Sequence, residues 1–592
     1  MSSPNIISNA AQVKGEYDFI IVGGGTAGCT VAGRLAEISP NISVLVIEAG
    51  KSSFGVKEIS TPALAATLVE SEHDWAYQAT LIDLPDFKRV EDAVTRGKVL
   101  GGSSSLNYYS WHRGSAALYD EWQAYGGPTW NWTACKQYFS KPTTIVQKTN
   151  VSLLPINTSD IGTSGPVKLK AVDPVPLGDA LVKAWKSRGL PTTSDIFNGH
   201  PNGLTHLLAT VVDGERNSSV RFIETRHNIT VLTQSKVARV IIEKGAGAQD
   251  GNIAKGVEIV GGTVVHAKHE VIVSSGVFES PHVLMLSGIG VPQELEAHGI
   301  ACKVDSPQVG KNLMERVIFP QVFRLKEGSS LDTQLRPGPQ FDAAVREYEQ
   351  QRTGTLASPL LEFSAWTRID ERLSKSPEYV NLKQKLGKDP LGSATQPHFE
   401  FDFVPAFFHP FQPHVPIPTS GDYMTIVTGI LRPLSRGNVG LRSSQPTEQP
   451  EINLNFFAEE VDLVAVREAG RFVREIVEHG EGMRDYVIEP YPADLRDLDG
   501  DNEAAKKLIF KRCSTGYHPC GTCRIGTESG THQGVVDERL RVRGVANLRV
   551  IDASVIPIIP DCRIQAPVYM VAEKGAAIVR EDYERKIQPG GN

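Results

Sequence analysis

The chain has 592 residues, 40% of them hydrophobic and 22% charged, with a formal net charge of −7. That length exceeds one compact core, so two or more domains, or one domain with large insertions, are expected. The negative balance excludes a nucleic-acid or polybasic membrane role, and no apolar run approaches the ~20 residues of a membrane span.

Seven cysteines, odd and sparse for this length, imply no disulfide framework. The segment Met1–Phe19 has no basic stretch followed by an apolar one, so a cytoplasmic enzyme is expected. In that setting the sequons at Asn131, Asn157, Asn217 and Asn228 read as chance occurrences.

The first element is "YDFIIVGGGTAGCTVAGRLAE". A short apolar strand, Phe19 to Val22, runs into Gly23, Gly25 and Gly28, and a helical pattern follows through Leu35. A second β-branched strand, "ISVLVIEAG", ends at Glu48. The first glycine permits a tight turn, the second lets a pyrophosphate approach the backbone, and the third lets helix and strand pack closely. The helix N-terminus offers free N–H groups to phosphate, and Glu48 suits a ribose hydroxyl. The unit predicts dinucleotide binding without separating FAD from NAD.

Next, "TRGKVLGGSSSLNYYSWHRG" (Thr95 to Gly114) is a glycine-serine loop able to pass close to a flat, polar ring system. Leu153 to Gly165 and Gly328 to Gly338 read as linkers or lids. "VIVSSGVFESPHVLMLSGIG" (Val271 to Gly290) reads as a strand, a turn at Gly276 and a helix that return to the nucleotide. Asp422 to Leu431 and Gly440 to Leu454 read as strands, and Ala458 to Glu478 as an amphipathic helix. "STGYHPCGTCRIG" brings His518. Cys520 and Cys523 in the same stretch lack a partner pair at metal spacing and read as structural thiols; no metal site is expected. Near the end, "VIPIIPDCRIQAPVYMVAEKGAAIV" sets Arg563 where an apolar strand turns into a helix.

The two stretches Thr95 to Gly114 and Val271 to Gly290 resemble the signature motifs of the glucose-methanol-choline (GMC) family of FAD oxidoreductases. "LRPLSRGNVGLRSS", "PEINLNFF" and "GVVDERLRVRGVANLRVIDASVIPIIP" resemble its later blocks in the right order, over about Tyr17 to Val579. The resemblance implies an α/β protein, α+β overall. A Rossmann-like FAD-binding domain is assembled from discontinuous segments, 15–325 with 510–585. A substrate domain, 326–509, has an antiparallel sheet flanked by helices, and the family's C-terminal block spans about 430 to 579.

By the same resemblance, Gly23, Gly25, Gly28 and Glu48, with Thr26, Ala27 and Ala49 beside them, hold the ADP part. Arg96, Gly101, Gly102, Ser103 and Asn107 lie beside the isoalloxazine ring, and Val237 meets adenine through its backbone. Asp552, Ala553 and Gln565 close over the pyrophosphate and flavin. Where some members attach FAD through a histidine, this chain has Leu106, which implies non-covalent FAD. One departure is "VGKNLMERV", with Glu315 and Arg316 in place of the family's usual Asp-His pair.

His518 matches the active-site histidine, whose neutral imidazole accepts an alcohol proton as hydride leaves for the flavin. Arg563 stands where most members carry His or Asn. A guanidinium cannot act as a base, but it clamps a carboxylate and keeps a nearby imidazole neutral. Formate is the minimal carboxylate with a transferable C–H, and the His-plus-Arg pairing resembles the fungal formate oxidases within the family. A role for Arg563 in bridging Asp561 or Glu573 is the competing expectation. Tyr108, Trp111, His398 and Phe403 are further candidates for the pocket wall. The expected activity is hydride transfer from a small CH–OH or formate-type donor, with oxygen or another acceptor as partner. The alternatives are an alcohol or aldehyde oxidase or dehydrogenase of a fungal biosynthetic pathway, and an FAD-containing non-redox cyclase or dehydratase.

Overall fold

The β-branched runs at the start of the chain build a sheet buried on both faces, where each fully buried Val, Ile or Leu contributes ~1.5–3 kcal/mol. The computed structural model describes residues 4–146, 153–245 and 251–587. In it the strand Glu16–Val22 lies inside a nine-stranded sheet. Asn5–Ile7, Ile229–Leu232, Val44–Ile47, Glu16–Val22 and Val264–Val273 lie side by side and parallel. Leu548–Val550, from near the other end of the chain, adds in parallel to Val264–Val273. Asn252–Ile259 and Val237–Lys244 then continue the sheet antiparallel.

The glycine motif turns Glu16–Val22 into the helix Thr26–Ala36. The expected strand-turn-helix of the second stretch is present as Val264–Val273 and Gly276–Leu286. The long helix Gln565–Ile587 is tied to Thr26–Ala36 by Arg34 and Glu573, so Glu573 is not a partner of Arg563.

A seven-stranded antiparallel sheet forms the second layer system. Its order is Val487–Tyr491, Val317–Leu325, Asp422–Ile430, Phe399–Val404, Phe363–Thr367 and Gly203–His206, with Ser514–Thr515 alongside Val317–Leu325. The helix Glu460–His479, close to its expected span, covers one face, and Phe401 meets Phe472 of this helix at 5.4 Å between ring centres. The expectation of a strand from Gly440 to Leu454 is corrected. Only Asn438–Gly440 and Glu451–Asn453 are strands, and they pair with each other as the arms of a hairpin. The polar, proline-containing "SSQPTEQP" between them cannot continue a ladder. Leu153–Gly165 has no helix or strand, whereas Gly328–Gly338 contains the short helix Asp332–Leu335. Among the described residues no helix is long and apolar enough to cross a membrane.

Candidate active site

One cavity runs between the two sheets. At one end it is lined by Gly23, Gly25, Thr26, Ala27, Glu48, Ala49 and Val237. Farther along come Arg96, Gly102, Ser103, Asn107, Asp552, Ala553 and Gln565, and both His518 and Arg563 line it as well. Gly28 and Gly101 lie behind the wall. A Cβ on Gly28 would meet Gly23 O at 1.9 Å, so this glycine serves close packing of the turn. Gly101 takes φ +90° and turns the loop so that Gly102 approaches Gly25, where a Cβ on Gly102 would meet Gly25 Cα at 2.6 Å.

The donor set fits FAD. Glu48 is buried, and its carboxylate accepts from Gly24 N–H at 2.9 Å and Gly50 N–H at 2.8 Å. A carboxylate offers about four lone-pair sites, so these contacts leave capacity for a ribose hydroxyl. Burial pushes the Glu48 pKa up to about 7, a penalty that hydroxyl donors relieve. The helix Thr26–Ala36 begins at Gly25 with no side-chain cap, so its first N–H groups remain for a phosphate. Asp552, in the cavity wall, also shapes the backbone beside it. Its carboxylate is used by Gly276 N–H at 2.8 Å, Ser280 Oγ–H at 2.5 Å and the N–H and hydroxyl of Ser554, and it fixes the Gly276 turn beside Ala553.

At the far end His518 is held by its backbone. Glu315 Oε1 accepts from His518 N–H at 3.0 Å, while Arg96 Nη2 donates to Tyr517 O at 2.7 Å. Between these clamps Tyr517 adopts φ +59°, a strained conformation for a non-glycine residue that the two contacts fix. Burial, and then the charges of Arg316 and Arg563, hold the His518 imidazole well below its ordinary pKa, so it is neutral. Its Nδ1 has no hydrogen-bond partner among the described residues. Burial also raises Glu315 to about 7.

Arg563 faces the cavity but does not bridge Asp561 or Glu573. Asp561 accepts instead from Ser115 N–H at 2.7 Å. Arg563 Nε donates to Glu400 Oε1 at 2.7 Å, Nη1 donates to Ser110 Oγ, and Nη2 pairs with Asp402. Glu400 is shared, since its Oε2 accepts from Arg316 Nη1 at 3.0 Å. Arg316 Nη2 in turn holds the carbonyls of Pro560 and Cys562, just before Arg563. The departure at Glu315 and Arg316 thus has a structural meaning: adjacent residues brace the His518 loop and the Arg563 loop.

Glu400 and Asp402 line the cavity and are absent from the sequence-based site. They are two apart on Phe399–Val404, hence on one face, whereas Phe399, Phe401 and Phe403 point the other way. The alternation in "HFEFDFV" was the available signal. Phe403 therefore belongs to the helix side, its ring 6.2 Å from Trp185, and does not line the cavity. His398 is fully buried outside it, its Nδ1 accepting from Ile369 N–H at 3.3 Å. Trp111 is a core residue against Tyr569. Tyr108 does line the cavity, edge-on to Phe408 and Phe411 at 5.1 and 5.3 Å. Cys520 and Cys523 are buried free thiols.

Known proteins resemble this chain in sequence and in overall fold. Family models described as GMC oxidoreductase match residues 17–318 and 433–572. Pyranose dehydrogenase 3 of Leucoagaricus meleagris is 33% identical, over 96% of this chain and 93% of its own. An oxygen-dependent choline dehydrogenase of Burkholderia vietnamiensis is 32% identical, over 95% and 94%. The crystal structure of a formate oxidase superposes with a TM-score of 0.92 at 42% identity, covering 99% of this chain and 100% of that one. An arginine variant of the Aspergillus oryzae formate oxidase, studied for its effect on FAD modification, gives the same values.

Proposed function

The chain belongs to the GMC oxidoreductase family and is an FAD-dependent oxidoreductase, and from that premise we propose that its substrate is formate and its electron acceptor dioxygen. The balance is HCOO⁻ + O₂ + H⁺ → CO₂ + H₂O₂. Bound FAD supplies the acceptor for the C–H hydride and passes two electrons on. The observation that carries the reading is Arg563 in the same cavity wall as His518, with a guanidinium fixed on three sides.

A guanidinium has five N–H groups. Glu400, Ser110 and Asp402 engage Nε, Nη1 and Nη2, and one N–H on each terminal nitrogen remains. In this reading those two are the donors offered to a carboxylate, which a guanidinium can hold through two parallel N–H groups. His518, neutral and buried, adds no charge that would compete for the anion, and its ring helps keep water from the C–H. Formate has no hydroxyl proton, so no base is required.

We also propose non-covalent FAD: Leu106 lines the cavity at the position where a linking histidine would stand, and an alkyl side chain offers no nucleophile. Acid precipitation should release intact flavin into the supernatant; flavin that stays with the pellet refutes this.

The unpartnered Nδ1 of His518 favours one second reading, oxidation of a small alcohol with His518 as the base. Anaerobic mixing separates the two. Bleaching of the visible flavin absorbance by formate, followed by peroxide release on adding air, supports formate oxidation. Bleaching by short alcohols alone supports the second reading, and bleaching by no donor refutes both.

A further inference from the structure

Arg216 ends a two-stranded hairpin. Val211–Val212 pairs with Glu215–Arg216 across Asp213 and Gly214, whose φ angles of 54° and 71° are those an Asp-Gly turn favours. The hairpin delivers the guanidinium behind the loop that carries Ser104, Asn107 and Tyr109, all three in the cavity wall. Nε donates to Ile59 O at 2.8 Å. Nη1 donates to Ser104 O at 3.2 Å, Asn107 O at 2.8 Å and Asn107 Oδ1 at 2.9 Å. Nη2 donates to Tyr109 Oη at 2.7 Å, and Cζ lies 4.1 Å from the Tyr109 ring centre.

Arg216 is only 6% exposed, and each of these partners is a neutral oxygen or ring. Among the described residues no carboxylate pairs with it. Arg316, Arg549 and Arg563 differ in this respect, since each meets at least one carboxylate. Arg113 is buried with neutral partners as well, but none of those partners lines the cavity, whereas Ser104, Asn107 and Tyr109 do. Hydrogen bonding is satisfied, but a full positive charge is buried without a counter-charge. Such a charge is costly unless something anionic stands near it in the working protein.

We propose that Arg216 is an electrostatic positioning residue for the cofactor. Its charge is balanced by the negative charge that bound FAD acquires on two-electron reduction. Its bond to Asn107 Oδ1 also orients the amide whose Nδ2 donates to Gln565 Oε1. Arg216 acts through this wall and not by direct contact, because it does not itself line the cavity. The proposal rests on FAD in this cavity and not on the choice of substrate, so the formate reading can fail while this one stands.

The test is the midpoint potential of bound FAD, measured by dye equilibration during anaerobic reduction, in the wild-type holoprotein, Arg216→Gln and Arg216→Lys. Sulfite, which forms an anionic flavin adduct, is the second probe. Arg216→Gln is expected to lower the reduction equilibrium constant at least tenfold, about 30 mV for a two-electron couple. It should weaken sulfite binding by a similar factor. Arg216→Lys keeps the charge and is expected to stay within about threefold of wild type in both. A wild-type potential in Arg216→Gln, or a lysine variant that falls as far as the glutamine variant, overturns the proposal. If Arg216→Gln does not retain FAD, the lysine variant decides alone: a near-wild-type potential supports the charge account and a tenfold loss overturns it.

Discussion

At Arg563, charge and direction are separable. Lysine keeps the charge but loses the fork, and a hydrogen bond to a charged group is worth ~1.5–3 kcal/mol. Arg563→Lys should therefore lower kcat/KM for formate by roughly 10- to 100-fold while FAD content stays unchanged. Steady-state kinetics and the flavin-to-protein absorbance ratio check this. Asp402 places a negative charge beside the proposed anion site. Asp402→Asn keeps an acceptor for Nη2 and removes the repulsion, so KM for formate should fall several-fold with kcat little changed. A raised KM would show that the carboxylate is needed for aim more than it costs in charge.

Glu315 gives a pH signature. Its folded-state pKa of about 7 lies above the ~4.3 of a free glutamate. Between those values the folded state holds a proton that the unfolded state releases. The stabilisation tied to this group is thus complete below pH ~4.3 and is lost as pH rises through about 7. Glu315→Gln should remove that slope: compared with wild type, its melting temperature should be relatively higher at pH 8 than at pH 5. Parallel curves for the two proteins would contradict the assignment.

At the scale of an element, Phe399–Val404 divides its duties by face. Glu400 and Asp402 build the site, while Phe401 packs against Phe472 and the covering helix. Truncating a buried Phe costs about 3–5 kcal/mol. Phe401→Ala should lower the unfolding midpoint accordingly, yet the protein that remains folded should keep wild-type KM for formate. That strand also shows what the sequence conceals. All six of its residues are buried, so its acids read as part of an interior strand with no water-facing side to single them out. Their role depends on Arg563, 163 positions away from Glu400. The glycine unit was legible for the opposite reason: strand, turn, helix and Glu48 are contiguous, and each residue type answers a local demand. His518 and Arg563 were singled out by the family resemblance alone, and the structure places both in one cavity wall. The bracing by Glu315 and Arg316 was visible only as a departure from the family pattern, since its partners lie at Thr515 to His518, Glu400 and Pro560 to Cys562.

Across the whole molecule, the site is assembled from segments near Gly23, Gly102, Glu315, Glu400, His518 and Arg563, and both sheets contribute to its wall. A ligand that touches all of them ties the layers together. Binding that favours the folded state adds about 2.7 kcal/mol at a free ligand concentration of 100 Kd. Acid-extracted protein reloaded with excess FAD should therefore melt several degrees higher than the same protein without it. The central claim is that a fixed guanidinium presents formate to the flavin in this shared cavity. Stopped-flow reduction of the holoprotein by formate under nitrogen, in wild type and Arg563→Lys, tests it most directly. The account predicts saturable reduction in wild type and a Kd for formate at least tenfold weaker in the variant, whereas equal Kd and equal limiting rate in the two proteins would contradict it.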